Sequence, residues 1–370
     1  MIAEHPNGNL FLSGYRNASK SPQLWRSTDK GKSWNSLDVG GIAEGAVGNS
    51  DVDLLIDEQG TIYLLTMKYT RFPTDITNFD FSSMKGEHIA IGISHDAGET
   101  WQWQYLSRKH YDDRPWIEIT SDGTVHVIWN NGRGVHHMTS ADQGRTWQLQ
   151  DQVYPQGGSS YLASGPNGRL AARITPMSAS GLQFDEGVDL IRLSTDNGQT
   201  WSDVSLPGNR EWASELGEGI PRWVEPLDWD SKGQLYYLWS EGNELKLGIA
   251  VMGQHWQVRT VATGDTTLYY PYLRVNDDYA VCSWISGFGE SLRHHAAAIE
   301  LMDTKVSVFK STPLKLNIYS RTDESDHLLE TGGEYFPIIP LSDGDFGMAT
   351  PIQNRKDNQF GFTWWRLAVE

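Results

Sequence analysis

The chain has 370 residues, and 47 Asp and Glu against 30 Lys and Arg give a formal net charge of −17. That balance argues against a nucleic-acid partner, which needs a basic footprint, and a polyanionic partner would need a local basic focus. No apolar run approaches the roughly 20 residues that span a membrane, and a lone Cys282 excludes an intramolecular disulfide and a Cys-based metal site.

Taken in order, the chain repeats one unit: an apolar inner strand, a polar or Gly turn, and a second alternating strand. The first runs from Ile2 to Trp34 with its turn at Pro6-Asn7-Gly8. The second opens at Asp51-Val52-Asp53-Leu54 and turns at Gln59-Gly60; the third opens at Arg114-Pro115-Trp116 and turns at Ser121-Asp122-Gly123. The fourth has Ser160 to Ala163 and Pro166-Asn167-Gly168, and the fifth Arg222 to Glu225 and Ser231-Lys232-Gly233. The sixth starts at Tyr270 and turns at Asn276-Asp277-Asp278, with Cys282 in an alternating strand as a packed thiol. The seventh starts at Tyr335, turns at Ser342-Asp343-Gly344, and ends in a third strand near Phe362 to Arg366. Long linkers at Tyr69 to Glu87, Met177 to Asp189, Pro207 to Ile220 and Arg321 to Glu334 are candidate walls of a site.

A second, shorter repeat lies on top of the first. The pattern S-x-D-x-G-x-T/S-W reads at Ser27 to Trp34, Ser94 to Trp101, Ser140 to Trp147 and Ser194 to Trp201, with Gly253 to Trp256 as a worn copy. Asp can accept bonds from amides two or three residues on, Gly supplies a positive φ, and the Trp covers the turn. Such recurrence marks a repeat architecture. These octapeptides resemble the Asp-box (BNR) repeat of sialidase-like β-propellers, across nearly the whole chain.

The resemblance implies an all-β fold: a single β-propeller domain over 1–370 with four-stranded antiparallel blades and Asp-box hairpins. Seven blades are counted, or six if the terminal units merge. Asp29, Asp96, Asp142 and Asp196 are then structural, and the family habit implies a secreted or periplasmic protein whose leader is not in this chain. In a propeller the inner strands begin on one face, so Asp51, Asp53, Asp112, Asp113, Arg114, Ser160, Arg222, Tyr270, Glu334 and Tyr335 are expected on it.

Those residue types suit cleavage of an acidic sugar. Arg pairs bidentately with a carboxylate, a carboxylate moves protons, and sialidases use a Tyr nucleophile. By that resemblance Arg114 and Arg222 bind the substrate carboxylate, with Arg173 or Arg293 as a third. Tyr335 or Tyr270 is the nucleophile, Glu334 or Glu218 its activator, and Asp53 or Asp113 the acid/base. Asp51, Ser160 and Trp223 complete the expected substrate contacts. A second reading is a polysaccharide lyase at uronic acids, in which Arg neutralises the carboxylate. His110, His136 or His137, Tyr111 and Tyr270 would then move the protons. A third is a non-catalytic glycan-binding or scaffold propeller. His126 sits in a strand and reads as structural, and His294-His295 lack the spacing of a metal site. No cofactor is expected; the many Asp residues are compatible with a structural Ca²⁺, although no loop spells an EF-hand pattern.

Overall fold

The computed structural model describes residues 1–14, 22–48, 50–69, 86–131, 133–176, 189–207, 225–251, 254–287, 291–302, 305–313, 335–354 and 359–369. The architecture is a seven-bladed β-propeller, each blade an antiparallel sheet. Blade one is β1 (Ile2–Glu4), β2 (Leu10–Gly14), β3 (Gln23–Ser27) and β4 (Asn35–Ser36); blade two is β5 (Val52–Ile56), β6 (Ile62–Tyr69), β7 (Gly86–Ser94) and β8 (Gln102–Ser107). Blade three is β9 (Asp113–Ile119), β10 (Val125–Asn130), β11 (Val135–Ser140) and β12 (Gln148–Leu149). Blade four is β13 (Gly158–Gly165), β14 (Arg169–Pro176), β15 (Leu190–Ser194) and β16 (Ser202–Ser205). Blade five is β17 (Leu227–Trp229), β18 (Gln234–Glu241), β19 (Glu244–Val251) and β20 (Gln254–Thr263). Blade six is β21 (Leu268–Val275), β22 (Tyr279–Ser286), β23 (Arg293–Glu300), β24 (Val306–Val308) and β25 (Thr312–Pro313); blade seven is β26 (Ile338–Pro340), β27 (Phe346–Asn354) and β28 (Gln359–Leu367).

Strand order follows chain order in every blade, and blade six carries β25 beside β23 as a fifth strand. Blade seven has three strands among the described residues, matching the chain's end in a third strand. The count is seven, so the six-blade alternative falls away. Of the stretch expected as the inner strand of blade five only Glu225 is described, and the described strand starts at Leu227.

The turns form for the reason the sequence suggests. In blade two Asp57 Oδ1 accepts the Thr61 amide at 2.7 Å, while Gly60 takes φ 87. A side-chain acceptor and one left-handed residue close the hairpin together. The four octapeptides share the bonds that their Ser and Asp side chains accept from turn amides. In the second, the Gly98 amide donates to Ser94 Oγ at 2.9 Å and the Thr100 amide to Asp96 Oδ1 at 2.9 Å. Trp101 Nε1 then donates to the Gly98 carbonyl at 3.1 Å. Each Asp is therefore occupied inside its own turn, as the structural reading expects.

By density of internal packing the chain divides into two compact units: Met1–Leu170 with Ile174–Val188 and Ser194–Trp201, and Ala171–Arg173 with Asp189–Leu193 and Ser202–Glu370. In the first, Tyr63, Leu65, Met67, Ile89, Ile91 and Ile93 of blade two pack against Ile117, Val125, Val127 and Trp129 of blade three. In the second, Leu238, Leu245 and Leu247 of blade five pack against Leu273, Cys282, Trp284 and Ala297 of blade six. Each large side chain buried this way contributes about 1.5–3 kcal/mol. Cys282 is fully buried, and burial pushes its thiol up to about 12, so it packs as a small apolar group.

Candidate functional site

In the first unit, the inner-strand starts of blades two and three meet the ends of their second strands. Tyr69 closes β6 and is half-buried, and its hydroxyl donates to Asp113 Oδ1 at the start of β9, 3.0 Å away. Burial holds the Tyr69 phenol well above its ordinary value; the charges of Asp113 and Asp51 add to that, and Arg114 opposes it. One tyrosine, two carboxylates and one guanidinium thus share an electrostatic neighbourhood, and each is half-buried rather than sealed.

The backbone that presents them is strained. Arg114 sits at φ 48 and Tyr111 at φ 72. Left-handed conformations are uncommon for side chains of this size, and Arg114 precedes Pro115, which further narrows its choices. The register between β9 and β10 slips there, between Ile128 and Asn130, so a bulge re-aims the Arg114 side chain. Tyr111 is held by its amide, which donates to the Gly86 carbonyl at 2.9 Å. A Cβ on Gly86 would lie 1.7 Å from the Asp112 carbonyl, so only glycine allows this close approach.

Asp112 supports the site from beneath. Fully buried, it accepts Trp129 Nε1 at 3.1 Å and the Lys109 amide at 3.0 Å. Burial raises its pKa, against the bonds from Ser107, Lys109 and Trp129. On the adjacent strand β11, His136 pairs in register with Trp129 and stacks on it at 5.4 Å and 21°. Burial, then the charge of Lys109, keeps His136 neutral, and its Nε2 is buried with no hydrogen-bond partner.

The structure sorts the expected site residues. Asp51, Asp113 and Arg114 come together around Tyr69, which in the sequence stands at the edge of a long linker. Asp53 is 4% exposed and ties blades two and three: Oδ1 accepts the Leu54 amide at 2.8 Å and Oδ2 the Ile117 amide at 3.0 Å. His110 is exposed, four residues before Arg114. Glu334, Arg222, Trp223 and Glu218 lie outside the described residues, as does the side chain of Ser160.

Arg173, Tyr270 and Tyr335 belong to the second unit. There Arg173, with 0% exposure, donates from Nη2 to Asp189 Oδ2 at 2.7 Å and to Glu225 Oε2 at 2.9 Å. Tyr237 donates its hydroxyl to the same Glu225 oxygen and stacks on Trp239 at 5.1 Å. Asp189, Glu225 and Tyr237 carry no motif, since nothing in an alternating strand such as Leu235 to Trp239 marks one Tyr as the partner of a distant carboxylate. Tyr270 is fully buried at φ 52, edge-on to Tyr269 at 5.3 Å and stacked on Phe336 at 6.1 Å. Tyr335, next to Phe336 in the chain, is half-buried. Among the described residues no group of three or more His, Cys, Asp and Glu is placed to hold a metal ion, and no helix is long and apolar enough to cross a membrane.

The family model for the BNR/Asp-box repeat matches residues 192–203, which span the fourth octapeptide. No curated protein sequence matches the chain. Among solved structures, the chain is similar to a polysaccharide lyase of family PL25, an ulvan lyase bound to -[GlcA(1-4)Rha3S]-. That match has 13% identity and a TM-score of 0.56, covering 99% of this chain and 91% of that one. It is also similar to an α-L-arabinanase from Penicillium chrysogenum complexed with arabinobiose, with 17% identity, a TM-score of 0.53 and coverage of 82% and 93%. A fungal alcohol oxidase of the AA5 family, in complex with copper, matches at 12% identity and a TM-score of 0.56, over 99% and 73%. Three chemistries on one frame show that likeness at this level carries the fold alone. The chain carries the BNR/Asp-box repeat on a seven-bladed β-propeller.

Proposed function

We propose that the protein is a glycan-cleaving enzyme acting at an acidic sugar, with its reacting groups on the blade two and three face of the first unit. The observation that carries this reading is the grouping of Tyr69, Asp113, Asp51 and Arg114, half-buried and with Arg114 on strained backbone. Arg114 receives the sugar carboxylate. In a hydrolysis, Tyr69 attacks the anomeric carbon as Asp113 takes its proton through the existing hydrogen bond, and Asp51, after taking up a proton from solvent, passes it to the leaving oxygen.

Elimination is the second reading, and the protonation states favour it. Tyr69 rests as a neutral phenol able to donate a proton, and His136 rests as a neutral imidazole able to take one. With Arg114 neutralising a uronate, His136 removes the C5 proton and Tyr69 protonates the departing oxygen. Assaying sialosides and uronate-containing polysaccharides for new reducing ends, together with the ultraviolet absorbance of an unsaturated product, separates the two. Reducing ends alone support hydrolysis, and both signals together support elimination. Silence in both, or wild-type rates in Tyr69→Phe and Arg114→Ala, would remove the enzyme reading from this face.

A further inference from the structure

Three Asp-box glycines of the first unit, Gly98, Gly144 and Gly198, seat on the blade before their own, and the seats are not alike. A Cβ at Gly98 would lie 2.9 Å from Leu37 and 3.4 Å from Phe11; one at Gly144 would lie 2.2 Å from Ile93 and 3.5 Å from Tyr63. At Gly198 the same atom would meet His137 at 2.7 Å and His126 at 3.4 Å, with Leu170 at 3.2 Å. Two boxes rest on an apolar and an aromatic side chain, and the fourth box rests on a pair of imidazoles.

The proton positions in that pair follow from its neighbours. Asp122 carries a pKa below its ordinary value: burial raises it, but the amide and hydroxyl of Thr124 and the hydroxyl of Thr120 together outweigh that. It is therefore an acceptor, and Asn197 Nδ2 donates to it at 2.7 Å. That orients the Asn197 amide so that Oδ1 faces His126 Nε2 at 3.2 Å, and Nε2 must carry the hydrogen. His126 Nδ1 is then the acceptor, and His137 Nε2 donates to it across 3.0 Å. The rings stack at 5.3 Å and 17°, and both residues have 0% exposure. Thr120 Oγ1 lies 3.2 Å from His126 Nε2, and the edge of His137 meets Trp201 of the box at 5.9 Å.

A second proton has nowhere to go. On His126 it would occupy Nδ1, setting donor against donor with His137. On His137 it would occupy Nδ1, which is buried with no hydrogen-bond partner. Asp122 is the carboxylate coupled to His126, and His126 is the group coupled to His137. The other box residues at the joint, Asn197, Gly198 and Trp201, do not titrate.

We propose that the joint between blade three and the fourth Asp-box is an acid-released latch, closed only while His126 and His137 are both neutral. The apolar seats of the second and third boxes have no such release. The joint's hydrogen-bond geometry requires this, and burial lowers His126 to about 4 and His137 to about 3 in the closed state. Opening restores ordinary values near 6.5. Each histidine therefore raises the opening constant about tenfold per pH unit as pH falls from roughly 6.5 toward those values.

Hydrogen exchange of the intact protein at pH 7 and pH 4.5, corrected for intrinsic chemistry, tests this with the other boxes as internal controls. Amides of 194–201 should lose protection on the order of 100-fold or more relative to those of 94–101 and 140–147. The double variant His126→Phe/His137→Leu, which imitates the apolar seats, should abolish that selective loss. Equal loss in all three boxes, retained protection in the fourth, or a selective loss that survives in the variant would each overturn the proposal.

Discussion

At the scale of single residues, neighbouring side chains have different tasks. Asp112, Asp113 and Arg114 are consecutive, yet the first braces Trp129 from a buried position, the second accepts the Tyr69 hydroxyl and the third adopts φ 48. Tyr69→Phe removes only the hydroxyl, so turnover on the acidic glycan should fall about 100-fold or more while the melting curve stays unchanged. Arg114→Lys keeps a charge but loses the planar fork, and should raise KM about tenfold with a smaller effect on kcat. Asp53→Ala should behave in the opposite way. It leaves the buried Leu54 and Ile117 amides without their acceptor, at a cost of about 1–3 kcal/mol in urea unfolding. Arg173→Met leaves Asp189 and Glu225 uncompensated and should cost about 3–5 kcal/mol.

At the scale of the element, the Asp-box is a closed hydrogen-bonded turn. Burial would raise the Asp96 carboxyl, but the Thr100 hydroxyl and amide and the Ser94 hydroxyl hold it below its ordinary value. A carboxylate lowered on folding stabilises above its unfolded value near 3.8 and loses that contribution as pH falls through the folded one. Because the box is exposed, the effect is small. Asp96→Asn should lower the melting temperature by roughly one or two degrees at pH 7 and leave glycan turnover unchanged. The bulges before Pro115 and Pro271 belong to the same scale. A residue at positive φ ahead of a proline is disfavoured locally, so the strands on either side must hold it.

At the scale of the whole molecule, buried imidazoles lower stability in acid. Burial lowers His126, His137 and His294 to about 4, 3 and 3, so the folded chain keeps them neutral. An unfolded histidine near 6.5 binds a proton the folded one refuses. Stability from these groups is therefore complete above that value and declines as pH falls toward the folded values. Urea midpoints should drop steadily between pH 6.5 and 4, and less steeply in His294→Leu.

The structure chose seven blades over six, and the sequence by itself determined the turns and the four boxes. These depend on contacts within a few residues, where a Gly at positive φ or an Asp facing its own turn amides is already decisive. It also led to the expectation of Asp51, Asp113 and Arg114 on one face, because inner-strand starts share a side of each sheet. Only the tertiary structure decided that Asp53 is a tie between strands and that Arg173 is neutralised inside the second unit. The same holds for Tyr69, whose partner lies 44 positions further along the chain. Strand periodicity gives the face on which a side chain lies, but the group it meets across a blade boundary depends on packing between sheets, which has no local signature.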